Sequence, residues 1–325
     1  MTDWSGYYRT ADSRTHYTLE EPYEWLGLTY DSLIQMDLSH TLTGNARSEY
    51  NVDFVGKGIT WADRQITGGA ITGVLCYQPG QGIPRFGFHV SGLDLSARNL
   101  AAAIERGDAF PGSYWTRRML NGDDTFLLSR QGDAVHAMGG NDLMEGRAGA
   151  DTLWGDQDND TLIGGAGADQ LYADHTYYGL GDDRLLGLRG DDYLRSRVGQ
   201  DSLYGGIGND TLSASGHWAV LEGGAGVDEI ELYGRHGTIQ PGGGETTVFT
   251  AYAATFILGA RHRHVEISGN DLDRSTFHIT GGAESYDALQ MTETATGVTI
   301  RWARATVELE GITVAQLSPD RFIFD

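Results

Sequence analysis

Through the middle of the chain a large apolar residue returns at every ninth position. From Met119 to Phe249, fourteen nine-residue units lie end to end, with one five-residue interruption placed at Ala173–Tyr177. The eighth position of these units reads Phe126, Val135, Met144, Leu153, Leu162, Leu171, Leu185, Leu194, Leu203, Leu212, Leu221, Ile230, Ile239 and Val248. This pattern predicts short three-residue strands, each with one side chain pointing inward. Before Met119 the pattern is ordinary alternation, with strands expected at Glu24–Thr29, Ser32–Leu38, Tyr50–Val55, Ala70–Tyr77 and Arg85–Val90 between Gly- and Pro-containing turns. A helix is expected over Ser96–Arg106, capped by Ser96, with Leu100, Ala103 and Ile104 on one face and Gly107 ending it. After Phe249, strands are expected at Thr255–Leu258, Val265–Ser268, Ser275–Thr280 and Asp287–Thr292, then a hairpin of Val298–Ala303 and Thr306–Glu310.

The remaining positions of the repeat are glycine and aspartate. Three units are intact: GGAGADQLY at 164–172, GGIGNDTLS at 205–213 and GGAGVDEIE at 223–231. Position six is Asp in eleven units: Asp124, Asp133, Asp142, Asp151, Asp160, Asp169, Asp183, Asp192, Asp201, Asp210 and Asp228. Ala219, Gly237 and Thr246 replace it elsewhere, yet the apolar position stays filled, so the coil is expected to outrun its acidic part. Glycine tolerates φ > 0 and lets a tight turn aim its carbonyls inward. With two units per coil, residues eighteen apart stack, and aspartates come to lie beside carbonyls. Such an all-oxygen cage suits Ca²⁺. The inward Leu and Ile form a narrow core that no single repeat buries alone. A flexible linker would not keep so strict a period.

Charge follows the repeat. The whole chain carries −22, and residues 119–249, with 22 acids and 7 bases, account for −15 of it. Stacked carboxylates would repel without cations. Seven aspartate pairs stand eighteen apart (124/142, 133/151, 142/160, 151/169, 183/201, 192/210 and 210/228), so about seven Ca²⁺, bringing +14, are expected to balance the stretch. Nucleic acid is a poor partner for such a surface.

These motifs resemble the RTX (repeat-in-toxin) nonapeptide family, a calcium-binding repeat. The resemblance covers about 130 of the 325 residues. It implies a parallel β-roll, export by a type I secretion apparatus, and calcium ligation by the position-six aspartates with help from carbonyls at positions one to four. Carried over to the intact turns, those carbonyls belong to Gly164, Gly165, Ala166 and Gly167; Gly205, Gly206, Ile207 and Gly208; and Gly223, Gly224, Ala225 and Gly226. Two turns depart from the pattern. Gln131 stands where the fourth-position Gly before Asp133 belongs, and Asp158 replaces it before Asp160.

The expected architecture is all-β: an N-terminal antiparallel β-sandwich with one helix (1–118), a parallel β-roll (119–249) and a C-terminal β cap (250–325). The last segment, GITVAQLSPDRFIFD, resembles the C-terminal secretion signal of RTX exports. The single cysteine, Cys76, allows no internal disulfide. The start of the chain lacks an apolar signal core and no eighteen-residue apolar run occurs, so no transmembrane segment is expected. Neither H-E-x-x-H nor G-x-S-x-G is present, and Cys76 lies in an apolar run that reads as core. His262 and His264 alternate as transition-metal ligands would, but Arg261 and Arg263 beside them point to a solvated basic edge. The leading expectation is an extracellular, bacterially secreted, non-enzymatic calcium-binding protein. Two alternatives stay open. One is a polysaccharide-acting lyase, epimerase or hydrolase built on residues 1–118, where Glu20, Glu21 and Glu24 sit among aromatics. The other is an adhesion or particle-surface component. A cell-surface or extracellular polysaccharide would be the partner of the first domain.

Overall fold

A computed structural model describes residues 121–128, 130–174, 181–260 and 262–325 in full, and the strands within 14–96 by their backbone. The chain divides into two compact units. The first holds Met1–Arg130 and Ala137–Met144, the second Gln131–His136 and Glu145–Asp325. No described helix is long and apolar enough to cross a membrane.

In the first unit, Arg14–Trp25, Leu28–Asp37, Asn51–Ala62, Gln65–Tyr77, Gly87–Ser96 and Thr125–Leu127 pair in chain order as one antiparallel sheet. Glu24 pairs with Thr29 and Trp25 with Leu28, so the chain reverses between them. The single strand expected at Glu24–Thr29 is therefore a hairpin connection. Apolar Trp25, Leu26 and Leu28 mimic a strand run in the sequence. Among the described residues these strands form one sheet. The helix expected over Ser96–Arg106 lies outside them, as do the side chains of Glu20, Glu21, Glu24 and Cys76.

The second unit is a parallel β-solenoid, part of a coil of about eight turns. Its core is two columns of apolar side chains in strict register. On one sheet, Leu162 pairs with Leu185, then Leu203, Leu221, Ile239, Phe256, Phe277 and Phe322. On the other, Val135 pairs with Leu153, then Leu171, Leu194, Leu212, Ile230, Val248, Ile267 and Leu309. All but Val135 are buried. Each fully buried side chain of this kind contributes about 1.5–3 kcal/mol. The coil exists because the eighth position is never surrendered.

The same two sheets continue beyond Phe249. Thr255–Gly259, Thr276–Thr280 and Phe322–Phe324 extend the first, His264–Gly269 the second. There the leucine column gives way to stacked rings, with Phe256–Phe277 at 5.4 Å and Phe277–Phe322 at 5.2 Å between centroids. Ala305–Glu310, Gly297–Trp302 and Gln290–Glu293 complete the second sheet, the last two antiparallel.

The interruption sits elsewhere than expected. Ala173 N–H bonds to the Arg195 carbonyl, and Asp156 N–H to that of Ala173. Ala173 and Asp174 therefore hold the first two places of a normal turn, so the interruption does not begin at Ala173.

Candidate metal centre

Each position-six aspartate follows a glycine-rich turn and precedes a buried apolar residue, so it is carried to the coil's interior edge. Ten of the eleven are at most 3% exposed. Asp133 is the exception, half-buried. The aspartates form a ladder in which the backbone N–H of one donates to Oδ1 of its counterpart in the next turn. The distances are 2.7 Å for Asp124 to Asp142, 2.8 Å for Asp133 to Asp151 and 2.9 Å for Asp151 to Asp169. The same bond links Asp183 to Asp201 (3.0 Å), Asp192 to Asp210 (2.9 Å) and Asp210 to Asp228 (3.1 Å).

The ladder also crosses the interruption. Asp160 N–H donates to Asp183 Oδ1 at 2.7 Å and Asp169 N–H to Asp192 Oδ1 at 2.8 Å, both over 23 residues. Spacing by eighteen alone breaks the row between Asp169 and Asp183 and separates two clusters. That expectation is corrected: five residues added inside one turn leave the next coil in register, so two further pairs, 160/183 and 169/192, join the seven.

Where a carboxylate accepts a ladder bond, it uses one oxygen and leaves the other. Oδ2 of Asp151, Asp169, Asp183, Asp192, Asp210 and Asp228, and both oxygens of Asp124, are buried with no hydrogen-bond partner among the described residues. An orphaned buried carboxylate oxygen is costly. Burial accordingly pushes Asp183 up to about 8 and Asp124, Asp151, Asp201 and Asp210 up to about 7 from 3.8. Asp192 rises to about 6 for the same reason, against the lowering pull of the Asp169 amide.

The glycines show what those oxygens face. A Cβ built on Gly205 would lie 2.5 Å from Asp210 Oδ2 and 2.5 Å from the Gly223 carbonyl oxygen of the next turn. Gly146 repeats this with Asp151 Oδ2 and the Gly164 carbonyl, both at 2.5 Å, and Gly187 and Gly223 do so with Asp192 and Asp228. A carboxylate oxygen and a carbonyl thus converge on a space that any side chain at position one would fill. Gly165, Gly167, Gly206, Gly208, Gly224 and Gly226 all take positive φ, between 107° and 149°, and shape the turn. Ala166, Ile207 and Ala225 end the strands that enter it, exposed to solvent. No group of three or more His, Cys, Asp or Glu capable of holding a metal occurs among the described residues. A cation here would be held by one or two carboxylates and by backbone carbonyls. An oxygen-only donor set of this kind fits Ca²⁺ and not a soft transition metal.

The irregular turns differ in outcome. Asp158 adopts φ 69°, positive like the fourth-position glycines of the intact turns but well short of their 144–149°, and Asp160 remains buried. Gln131 is not among the positive-φ residues, and its aspartate, Asp133, is the half-buried one.

A second ladder escaped the sequence reading. At position five, Asn141 N–H donates to Asp123 Oδ1, Asp182 to Asn159, Gln200 to Asp182, Asn209 to Asp191 and Val227 to Asn209, at 2.7–2.9 Å. It runs opposite to the aspartate ladder: here the later turn donates to the earlier. The recurrence of Asp and Asn at position five was its available signal. Asp174 was also missed. It is 6% exposed and accepts from the Arg197 and Val198 amides. His262, expected on a solvated edge, is instead buried at 5% exposure.

Residues 136–171 and 177–212 match the RTX calcium-binding nonapeptide repeat, in four copies. These stretches of the coil are RTX calcium-binding nonapeptide repeats. No curated protein sequence matches the chain. Among solved structures, the crystal structure of the extracellular lipase LipA from Serratia marcescens is similar at 18% identity with a TM-score of 0.32. The likeness covers 62% of this chain and 38% of the lipase, so the chain spans well under half of that protein, and nothing about activity follows from it. The RTX match ends at residue 212, whereas the coil's geometry continues through Asp228 and the turns beyond it.

Proposed function

We propose that this is an extracellular binding protein, secreted by a bacterium through a type I apparatus, whose RTX coil folds when calcium enters the aspartate row. The observation that carries the reading is the orphaned Oδ2 atom facing a carbonyl of the next turn, repeated from coil to coil. Without a cation, each such pair places two negative oxygens together out of water. With one, the same geometry becomes a cage. Because half of every cage belongs to the next turn, ion binding and coil formation are one process. Ca²⁺ ligands are then the eleven position-six aspartates and the carbonyls of the flanking turn residues. Counted through the interruption, the stacked pairs number nine, and each is one candidate cage.

Extracellular calcium modules bind at roughly 10⁻⁴–10⁻³ M. Low intracellular calcium would keep the coil open for export and external calcium would close it. Far-UV circular dichroism in EGTA and then in millimolar calcium tests this. A rise in strand content on adding calcium is expected; equal strand content in both states sinks the proposal.

A further inference from the structure

The outer face of the first sheet carries a column of glycines. Gly206 pairs with Gly224 and Gly224 with Gly242, and Gly259 ends the neighbouring strand. With no side chain over four adjacent strands, a trough of about 590 Å³ opens across the sheet. That volume lies in the range of small-molecule sites. Four adjacent strands span roughly 14 Å from first to last at their usual spacing, so the trough suits an elongated ligand.

Three of these glycines have a local reason to be glycine, with φ of 114°, 107° and 103° at Gly206, Gly224 and Gly242. Gly259 has none. Its φ is not in the left-handed region, and an added Cβ would approach Thr280 Oγ1 at 3.3 Å and His262 Nε2 at 3.7 Å, both residues that line the trough. The open floor at Gly259 is therefore not demanded by the backbone. His262 supplies an independent sign. Its ring is buried, yet Nδ1 has no hydrogen-bond partner among the described residues. Burial lowers its pKa, against the pull of the Gly242 and Ile257 carbonyls.

The lining narrows the ligand class. Glu222 and Gln240 form one wall, with an amide and a carboxylate able to bond neighbouring hydroxyls in pairs. Thr280 adds a hydroxyl, and Ile257 and the glycine floor add apolar contact. A peptide cannot join as an added strand, because the floor strands are already hydrogen-bonded on both sides. Glu222 and the acidic coil repel a polyanion, and one carboxylate is little for a polycation.

We propose that this trough binds a short run of an uncharged polysaccharide. It shares Gly206, Gly224 and Ala225 with the turns assigned to calcium, but none of the aspartates. The test uses the calcium-loaded full chain and isothermal titration calorimetry with neutral tetrasaccharides of β-1,4-glucan, α-1,4-glucan and β-1,4-mannan. Galacturonate tetramer, spermidine and a proline-rich peptide are the comparison arms. At least one neutral tetrasaccharide is expected to bind. Gln240→Ala, which removes hydrogen bonds from the wall, should weaken it about tenfold. Gly259→Val, which fills the floor, should abolish it. Calcium-induced circular dichroism of each variant, unchanged from wild type, separates a lost trough from a lost coil. Binding by none of the neutral sugars, binding by a comparison arm instead, or binding that survives both substitutions overturns the proposal. A coil that fails to fold with calcium while neutral sugar still binds would overturn the calcium reading alone.

Discussion

Asp210→Asn should shift the coil in opposite directions with and without calcium. Asp210 is 1% exposed, its Oδ1 accepts from Asp192 N–H, its own N–H donates to Asp228, and its Oδ2 has no partner among the described residues. Asparagine keeps the acceptor and removes the charge. The folded-state pKa is about 7 against 3.8, roughly three units. At 1.36 kcal/mol per unit, keeping this carboxylate ionised in the metal-free coil above pH 7 costs about 4 kcal/mol, which the substitution relieves. In calcium the balance reverses. Asp210 lies between two cages, and losing one charge-assisted contact costs about 1.5–3 kcal/mol, or about 10- to 150-fold in affinity. Asp133→Asn should move the midpoint by threefold or less, since its carboxylate is half-exposed and solvent already screens it. Calcium titrations followed by far-UV circular dichroism, with a pH series in EGTA for each variant, decide the matter. The reasoning fails if the two calcium midpoints shift equally, or if Asp210→Asn loses its strands in EGTA at a lower pH than wild type.

Three further outcomes follow from the geometry. In EGTA the row's carboxylates have folded pKa values raised above 3.8, so their contribution to stability is full below about pH 4 and is lost as pH rises through about 6 to 8; acid should therefore restore strand content without calcium, visible by circular dichroism. Gly208→Ala, at φ 144° with its Cβ falling on the Gly190 carbonyl, should destabilise the calcium-loaded coil by at least about 2 kcal/mol in urea melts, whereas Gly243→Ala, whose nearest neighbour is 3.9 Å away, should cost little. Deleting five of residues 175–180 returns Asp160 and Asp183 to a spacing of eighteen and should leave the calcium midpoint within about twofold of wild type; a large rise would show that the longer turn is needed.

The parts legible from sequence were those that repeat. Leu203 and Asp201 each announce themselves through many copies at fixed positions, and copies are what stacking turns into a column. Counting residues failed where counting turns was needed: a turn can grow by five residues without moving Asp183 from its place beside Asp160, since only the strands fix the register. Position five was hidden because Asp191 and Asn209 look like ordinary solvated residues, and their hydrogen bonds appear only when turns are superposed. His262 misled for a related reason. Its burial depends on strands twenty residues away on either side, while its neighbours in sequence, Arg261 and Arg263, describe a polar edge.

The coil also converts chain length into very little height. Each full turn consumes eighteen residues, as the ladder spacing shows, an extended contour of about 60 Å. It adds one strand spacing to the stack, about 4.8 Å. Chain recruited into the coil is thus shortened more than tenfold and, on the proposed coupling of folding to calcium, one ion-sealed step at a time. A coil growing on one side of a narrow opening would take up slack with every ion and refuse to give it back. Pulled from its ends, it would pay out roughly 55 Å per turn, a ratchet whose pawl is dissolved calcium.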